Sequence, residues 1–193
     1  MSFKPVPRTA DWMSSALERF ESRLLRYAQR IVGDSEEARD VVQDTFLKLC
    51  RQNPEELNGR LAQWLYTVCR NQALDVRRRQ GRRAAAAPDD VANSGGFSRE
   101  PPPPETAARS DSVAQIHHEL DRLTPDQQEC IRLKFQHELS YQEISAVTGL
   151  SVSNVGFLIH TGLKCVRERL ARRAARESFP EGVSPAVIHR TLP

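Results

Sequence analysis

The sequence predicts an all-α protein: two small helical domains joined by a flexible linker, the second containing a helix-turn-helix. Three observations predict it. Apolar residues recur at steps of three and four through the first 80 residues and again after residue 112, and no block alternates as a strand would. Between those blocks, the stretch AAAAPDDVANSGGFSREPPPPETAA has a glycine pair, four successive prolines and little that could form a core. A loop of that length inside one compact domain would be unusual. Third, the later block contains a short helix, a glycine turn and a second helix. The boundaries expected are 10–83 for the first domain, 84–109 for the linker, 110–176 for the second domain and 177–193 for a C-terminal tail.

The first helix is expected over 12–32. Trp12, Ala16, Leu17, Phe20, Leu24, Tyr27, Ala28 and Ile31 form one stripe at helical spacing, and Gly33 stops it. Asp34 caps the next helix, with Glu37 in the reciprocal capping-box position. That helix buries Ala38, Val41, Val42, Phe46 and Leu49, while Asp40, Gln43, Asp44 and Lys48 lie largely on the other side. Asn53-Pro54 and Asn58-Gly59 punctuate a connection. A third helix starts near Arg60 with Leu61, Trp64, Leu65 and Val68 as its buried face, and continues, after a break or without one, into an arginine run.

The second block begins with a helix over about 112–122. Thr124-Pro125-Asp126-Gln127 then supplies a cap, a proline at the first helical position and a capping-box glutamine. Ile131, Leu133 and Phe135 are its apolar side chains. Ser140-Tyr141-Gln142-Glu143 repeats the signal, and a short helix through Ile144 and Val147 ends at Gly149. Ser151 or Ser153 opens a last helix carrying Val155, Leu158, Ile159, Leu163, Val166 and Leu170. In a helix-turn-helix, Leu150 would seal the turn, and the last helix would offer its N-terminal residues to a major groove.

Charge is segregated. The net charge of +3 combines 28 basic and 25 acidic residues, and 24 of the basic ones are arginine. Six lie between Arg70 and Arg83 against one acid; six basic residues run from Lys164 to Arg176 against Glu168; Asp34 to Asp44 holds five acids and one arginine. Such separation implies distinct local surfaces, and arginine favours forked contacts with phosphate or carboxylate. No stretch approaches the ~20 apolar residues of a membrane span. The first ten residues lack the apolar core of a secretory signal. Four dispersed cysteines suggest neither a disulfide framework nor a zinc site. A cytoplasmic protein is expected. Catalysis is a poor reading: His117, His118 and His137 belong to no credible triad or ligand set, and there is no glycine-rich phosphate loop. No cofactor or metal is expected.

The order of these segments resembles that of a known family. Asp34 to Leu49 (DSEEARDVVQDTFLKL) looks like region two of a bacterial sigma factor, and Trp64 to Arg79 (WLYTVCRNQALDVRRR) like its continuation. The helix-turn-helix after the linker resembles region four. Together they are similar to the extracytoplasmic-function branch, which keeps regions two and four and lacks the domain between them.

The resemblance implies a sigma factor that binds core RNA polymerase, directs it to promoters and promotes strand opening. Asp40, Gln43 and Asp44 would meet the clamp of the largest subunit, and the second domain the flap of the second subunit. An unstacked base of the minus-ten element would be captured near a loop between the helix of Trp64 and the helix containing Asp75. Asn71 would lie near the melted DNA, and Asp75 either there or orienting a neighbouring helix. Arg77, Arg78, Arg79, Arg82 and Arg83 would contact phosphates. In the minus-thirty-five reader, Ser151, Ser153, Asn154, Phe157, His160, Lys164 and Arg167 are the candidate contacts. Fewer basic residues than the family usually carries there imply weaker, less salt-sensitive binding. Gly156 and Gly162 would allow close approach to DNA or another helix. An anti-sigma factor is a further partner that the resemblance implies. A helix-turn-helix regulator acting without polymerase, or an adaptor binding proteins only, are the alternatives.

Overall fold

The computed structural model describes residues 8–86 and 107–178, which form seven helices: α1 (Arg8–Val32), α2 (Ser35–Leu49), α3 (Leu61–Ala86), α4 (Ala107–Asp121), α5 (Pro125–Phe135), α6 (Tyr141–Thr148) and α7 (Val152–Ser178). Helices α3 and α4 each extend three residues into the expected linker. The remainder of that linker and nearly all of the expected tail lie outside the described residues.

Helices α1, α2 and α3 pack on one another. Gly33, at φ +83°, turns the chain out of α1 through a left-handed conformation that costs glycine little. Asp34 then caps α2, its Oδ1 accepting from the Glu37 backbone N–H at 2.9 Å. Glu37 does not return the bond. Its carboxylate accepts from the Gln80 amide of α3, so the expected capping box becomes a tie between helices. The expected α2 stripe of Ala38, Val41, Val42, Phe46 and Leu49 is buried, together with Thr45. Thr45 donates to Val41 O at 2.7 Å and accepts from Gln72 Nε2 at 2.9 Å, which satisfies its hydroxyl inside the core.

Helix α3 is rotated relative to the expected face. Leu65, Cys69 and Ala73 are fully buried against α1 and α2, whereas Leu61, Trp64 and Val68 are only partly covered. Burial pushes the Cys69 thiol up to about 12. Tyr66 is also fully buried, between Tyr27 of α1 and His137 of the other half of the chain.

In that half, both capping boxes form, Thr124 with Gln127 and Ser140 with Glu143. Gly149 ends α6 at φ +79°. Ser145 Oγ donates to Leu150 O at 2.5 Å, closing the turn, and Ser151 Oγ accepts from the Asn154 N–H at 3.2 Å to start α7. Ile131 and Leu133 are buried, but Phe135 is 59% exposed because it falls at the end of α5, beyond the cover of α7. Arg132, 4% exposed, is held by Gln128 Oε1 at 2.7 Å and Asp121 Oδ1 at 2.8 Å.

The two halves dock. Helix α6 packs on α3, and buried residues of both halves form one continuous apolar cluster. His137, between α5 and α6, is buried with its Nδ1 2.7 Å from Tyr66 Oη, in edge contact with Tyr27 at 5.7 Å between centroids. Burial, with Arg26, Arg23, Arg30 and Arg132 around it, depresses His137 to about 3, so its ring is neutral.

Candidate polymerase and promoter surfaces

Asp40, Gln43 and Asp44 are all exposed on the outward side of α2, but they line two different grooves. Helix α2 rests across α1 and α3 together, so its outward arc overlooks a groove on each side, and residues 43 and 44 are ~100° apart around the axis. Asp40 and Asp44 line a cleft between α2 and α3 with Gln72, Asp75, Arg79 and Arg83. Gln43 lines an apolar groove between α1 and α2, beside Met13, Leu17, Phe46 and Cys50. Leu47 lies in the same groove and is 53% exposed. It is a candidate contact that the sequence expectations do not include.

The arginine run also divides. Asn71, Asp75, Arg78 and Arg82, at steps of four, three and four, form an exposed stripe on α3. Arg78 pairs with Asp75 at 3.0 Å, and Arg79 Nε donates to Asp75 O at 3.3 Å. Asp75 therefore engages its own helix. Arg79 and Arg83 turn toward Asp40 and Asp44, while Arg77 lines a cleft toward α5. One helix thus spreads its positive charge in three directions.

No loop separates Trp64 from Asp75. Helix α3 runs unbroken from Leu61 to Ala86, which corrects the expected position of a base-capturing loop. No glycine or proline falls between Arg70 and Val76 to interrupt the helix. The connection that exists is the one between α2 and α3. Asn53 Oδ1 accepts from the Glu55 N–H at 3.1 Å, and Gly59 takes φ +74°. This loop walls a cavity of about 830 Å³ with Trp12, Arg19 and Phe20 of α1. The Arg19 guanidinium lies 5.1 Å from the Phe20 ring centroid. Glu143 of α6 completes the wall. The Asn-Pro and Asn-Gly pairs were the available signal, read only as punctuation.

On α7, Ser153, Phe157, His160, Lys164 and Arg167 occupy one exposed face at steps of four, three, four and three, with Phe157 63% exposed. Ser151 and Asn154 are exposed at its N-terminus. Val155, Ile159 and Val166 are buried on the opposite side. Gly162 serves packing, whereas Gly156 leaves room for a Cβ at ordinary contact distance. A Cβ on Gly162 would stand 2.7 Å from Ile131 Cδ1, and one on Gly156 would touch the Tyr141 ring at 3.5 Å. Among the described residues, no single helix is long and apolar enough to cross a membrane, and no cluster of His, Cys, Asp and Glu could hold a metal ion.

Both halves match family models: Sigma-70 region 2 over residues 16–83 and Sigma-70, region 4 over 114–166. The chain is 31% identical over 163 residues to the ECF RNA polymerase sigma factor SigE of Mycolicibacterium smegmatis, an alignment covering 79% of this chain and 59% of that one. It thus spans less than two thirds of that relative's length. It is 31% identical over 167 residues to the RNA polymerase sigma factor CarQ of Myxococcus xanthus, covering 80% of this chain and 91% of CarQ. The fold is similar to that of the sigma factor RpoE of Bartonella quintana, solved with the anti-sigma factor NepR, at 21% identity and a TM-score of 0.57 over 83% of this chain and 97% of that one. With both halves matched in order and CarQ covered almost from end to end, the chain belongs to the extracytoplasmic-function branch of the sigma-70 family of bacterial RNA polymerase sigma factors.

Proposed function

We propose that this chain binds core RNA polymerase, directs it to promoters and promotes strand opening, carrying no chemical step itself. The observation that carries this reading is the exposed face of α7, apolar and basic, in a chain whose other half holds a loop-walled cavity beside a basic helix. A duplex-reading helix and a site for melted DNA are the two parts that promoter opening needs.

In this reading 10–83 is the polymerase-binding and minus-ten domain, and 110–176 the minus-thirty-five domain. Gln43 with Leu47 on one flank of α2, and Asp40 with Asp44 on the other, meet the clamp of the polymerase's largest subunit. The second domain meets the flap of the second subunit. Arg78 and Arg82, beyond Asn71 and Asp75 on one stripe, take phosphates through charge-assisted bonds, and Arg77, Arg79 and Arg83 are further phosphate contacts. The unstacked base enters the cavity of Trp12, Asn53 and Asn58, where the indole can stack and amides can read an edge. Phe157 packs on a thymine methyl, and His160, Lys164 and Arg167 reach the adjoining backbone. An anti-sigma factor is a further partner, by analogy with the RpoE of Bartonella quintana.

The test is transcription by purified core polymerase with and without the full chain on genomic fragments, followed by mapping of start sites. Discrete starts that depend on the chain are expected. Core binding without promoter selection would make it an adaptor, and promoter binding without core would make it a free-standing regulator. Replacing Asp40, Gln43 and Asp44 together by alanine should weaken core association with little change in urea stability. Unchanged association would refute the clamp assignment.

A further inference from the structure

We propose that the cavity enclosed by α1, α3 and α5 is a binding site for a phosphate group, held by Arg30, Arg70, Arg77 and Arg132. The site is separate from the polymerase and promoter surfaces described above and stands on its own geometry.

Three helices set four guanidiniums around one hole. Arg30 comes from the last turn of α1, Arg70 and Arg77 from α3 two turns apart, and Arg132 from α5; together they line a cavity of about 80 Å³. Glu129 is the one carboxylate in that lining. Its Oε1 accepts from Tyr27 Oη at 2.6 Å and from Arg70 Nε at 2.7 Å, and its Oε2 accepts from Arg70 Nη2 at 3.1 Å. Those bonds fix the plane of the Arg70 guanidinium while using two of its five N–H groups. Asp121, outside the lining, holds Arg132 Nη2 at 2.8 Å, and Gln128 Oε1 accepts from its Nη1 at 2.7 Å. Four guanidiniums against these two carboxylates leave an excess of two positive charges. Asp126, beside Pro125 of the lining, is turned to solvent.

Gathering like charge in a half-enclosed space is unfavourable unless an anion joins it. Arg132 is 4% exposed, and burial together with the facing Arg30 pulls it down to about 10. The same two arginines, with Arg23 and Arg26, depress the nearby His137. Ile31 and Leu74 add apolar wall, which concentrates the field in the hole. A phosphate monoester carries about −1.5 to −2 charges at neutral pH, which matches the excess, whereas a carboxylate cancels only half of it. Its oxygens also suit the planar arginine fork. A tetrahedral group of five heavy atoms fits the cavity and a nucleoside does not, so only the phosphate of a larger ligand enters. Arg77, exposed at the rim, meets it first.

The experiment is isothermal titration calorimetry on the full free chain, without polymerase or DNA, at an ionic strength held constant with chloride. The probes are inorganic phosphate, adenosine monophosphate and acetate. One phosphate site per chain is expected, with acetate at least tenfold weaker. Inorganic phosphate binding as tightly as the nucleotide identifies the free ion as the source, and a tighter nucleotide identifies a nucleotide phosphate. Arg30→Gln should weaken binding at least tenfold and Arg77→Gln several-fold. Arg26→Gln removes the same charge one turn earlier on α1, outside the cavity, and should change it less than twofold. Phosphate at ten times its dissociation constant should raise the wild-type thermal midpoint by roughly 3–6 °C. Circular dichroism checks that each variant keeps its helix content; Arg77, being exposed, supplies the test should Arg30→Gln not fold. An absence of saturable binding overturns the site, as does binding that neither Arg30→Gln nor Arg77→Gln weakens. Equal weakening by Arg26→Gln would mean an adventitious ion only, drawn by diffuse charge, and would overturn it too. None of these measurements uses a promoter, so the site and the proposed role in transcription stand or fall separately.

Discussion

Acidification should loosen this protein, and His137 is the reason. Its imidazole is buried at the junction, facing Tyr27, Arg23, Arg26 and Arg30 from α1, Tyr66 from α3, Arg132 from α5 and the neighbouring Glu138. Burial and those arginines hold it near 3, against an ordinary value of about 6.5. The unfolded or opened chain therefore binds a proton that the closed chain does not, between about pH 6.5 and about pH 3, so stability falls as pH falls through that window. From about pH 7.5 to about pH 5.5, a group moving from about 6.5 to about 3 contributes ~1.4 kcal/mol, and close to ~1 if nearby arginines also depress it in the open chain. With a urea slope of ~2 kcal/mol per molar, that is a midpoint shift of about 0.5–0.7 M. The assay is urea unfolding at the two pH values for wild type and His137→Gln, whose side chain can accept from Tyr66 without titrating. The difference between the two proteins isolates His137 from every other titrating group. Equal losses of stability in the two would refute the assignment.

Two further outcomes follow from the packing. Gly162→Val should destabilise the second half by roughly 1–3 kcal/mol, because its Cβ would lie 2.7 Å from Ile131 Cδ1 and 3.4 Å from Leu123 Cδ1 inside the α5–α7 contact; an unchanged thermal midpoint would show that the helices separate freely there. Asp34→Ala should cost about 1 kcal/mol in urea unfolding through loss of the α2 cap, and Asp34→Asn only a fraction of that; equal losses would place the effect in charge and not in the cap.

What the sequence by itself determined was local. The apolar α2 core positions, the stops at Gly33 and Gly149, the two capping boxes of the second half and the exposed stripe of α7 arise from interactions within three or four residues, and such periods can be read directly. One signal of that kind misled: Glu37 has the spacing of a box partner, but Gln80, 43 residues away, competes for its carboxylate.

Everything that needed the second half to be in place was illegible. Tyr66 and His137, 71 residues apart, and Tyr27 and Glu129, 102 apart, meet only because the two units dock. Before docking, Tyr66 is one aromatic on the flank of a helix and His137 one histidine in a turn. The division of Asp40, Gln43 and Asp44 between two grooves is tertiary too, though it arises within the first half, since a helix seated on two others has flanks that its own periodicity does not distinguish. The cavity beside Phe20 likewise joins α1 to a loop more than thirty residues on and to Glu143 of the other half. Helical repeat and capping act over one or two turns and are written residue by residue. A junction between two units is settled by shape, desolvation and the pairing of buried charge across it, and those belong to the tertiary structure alone.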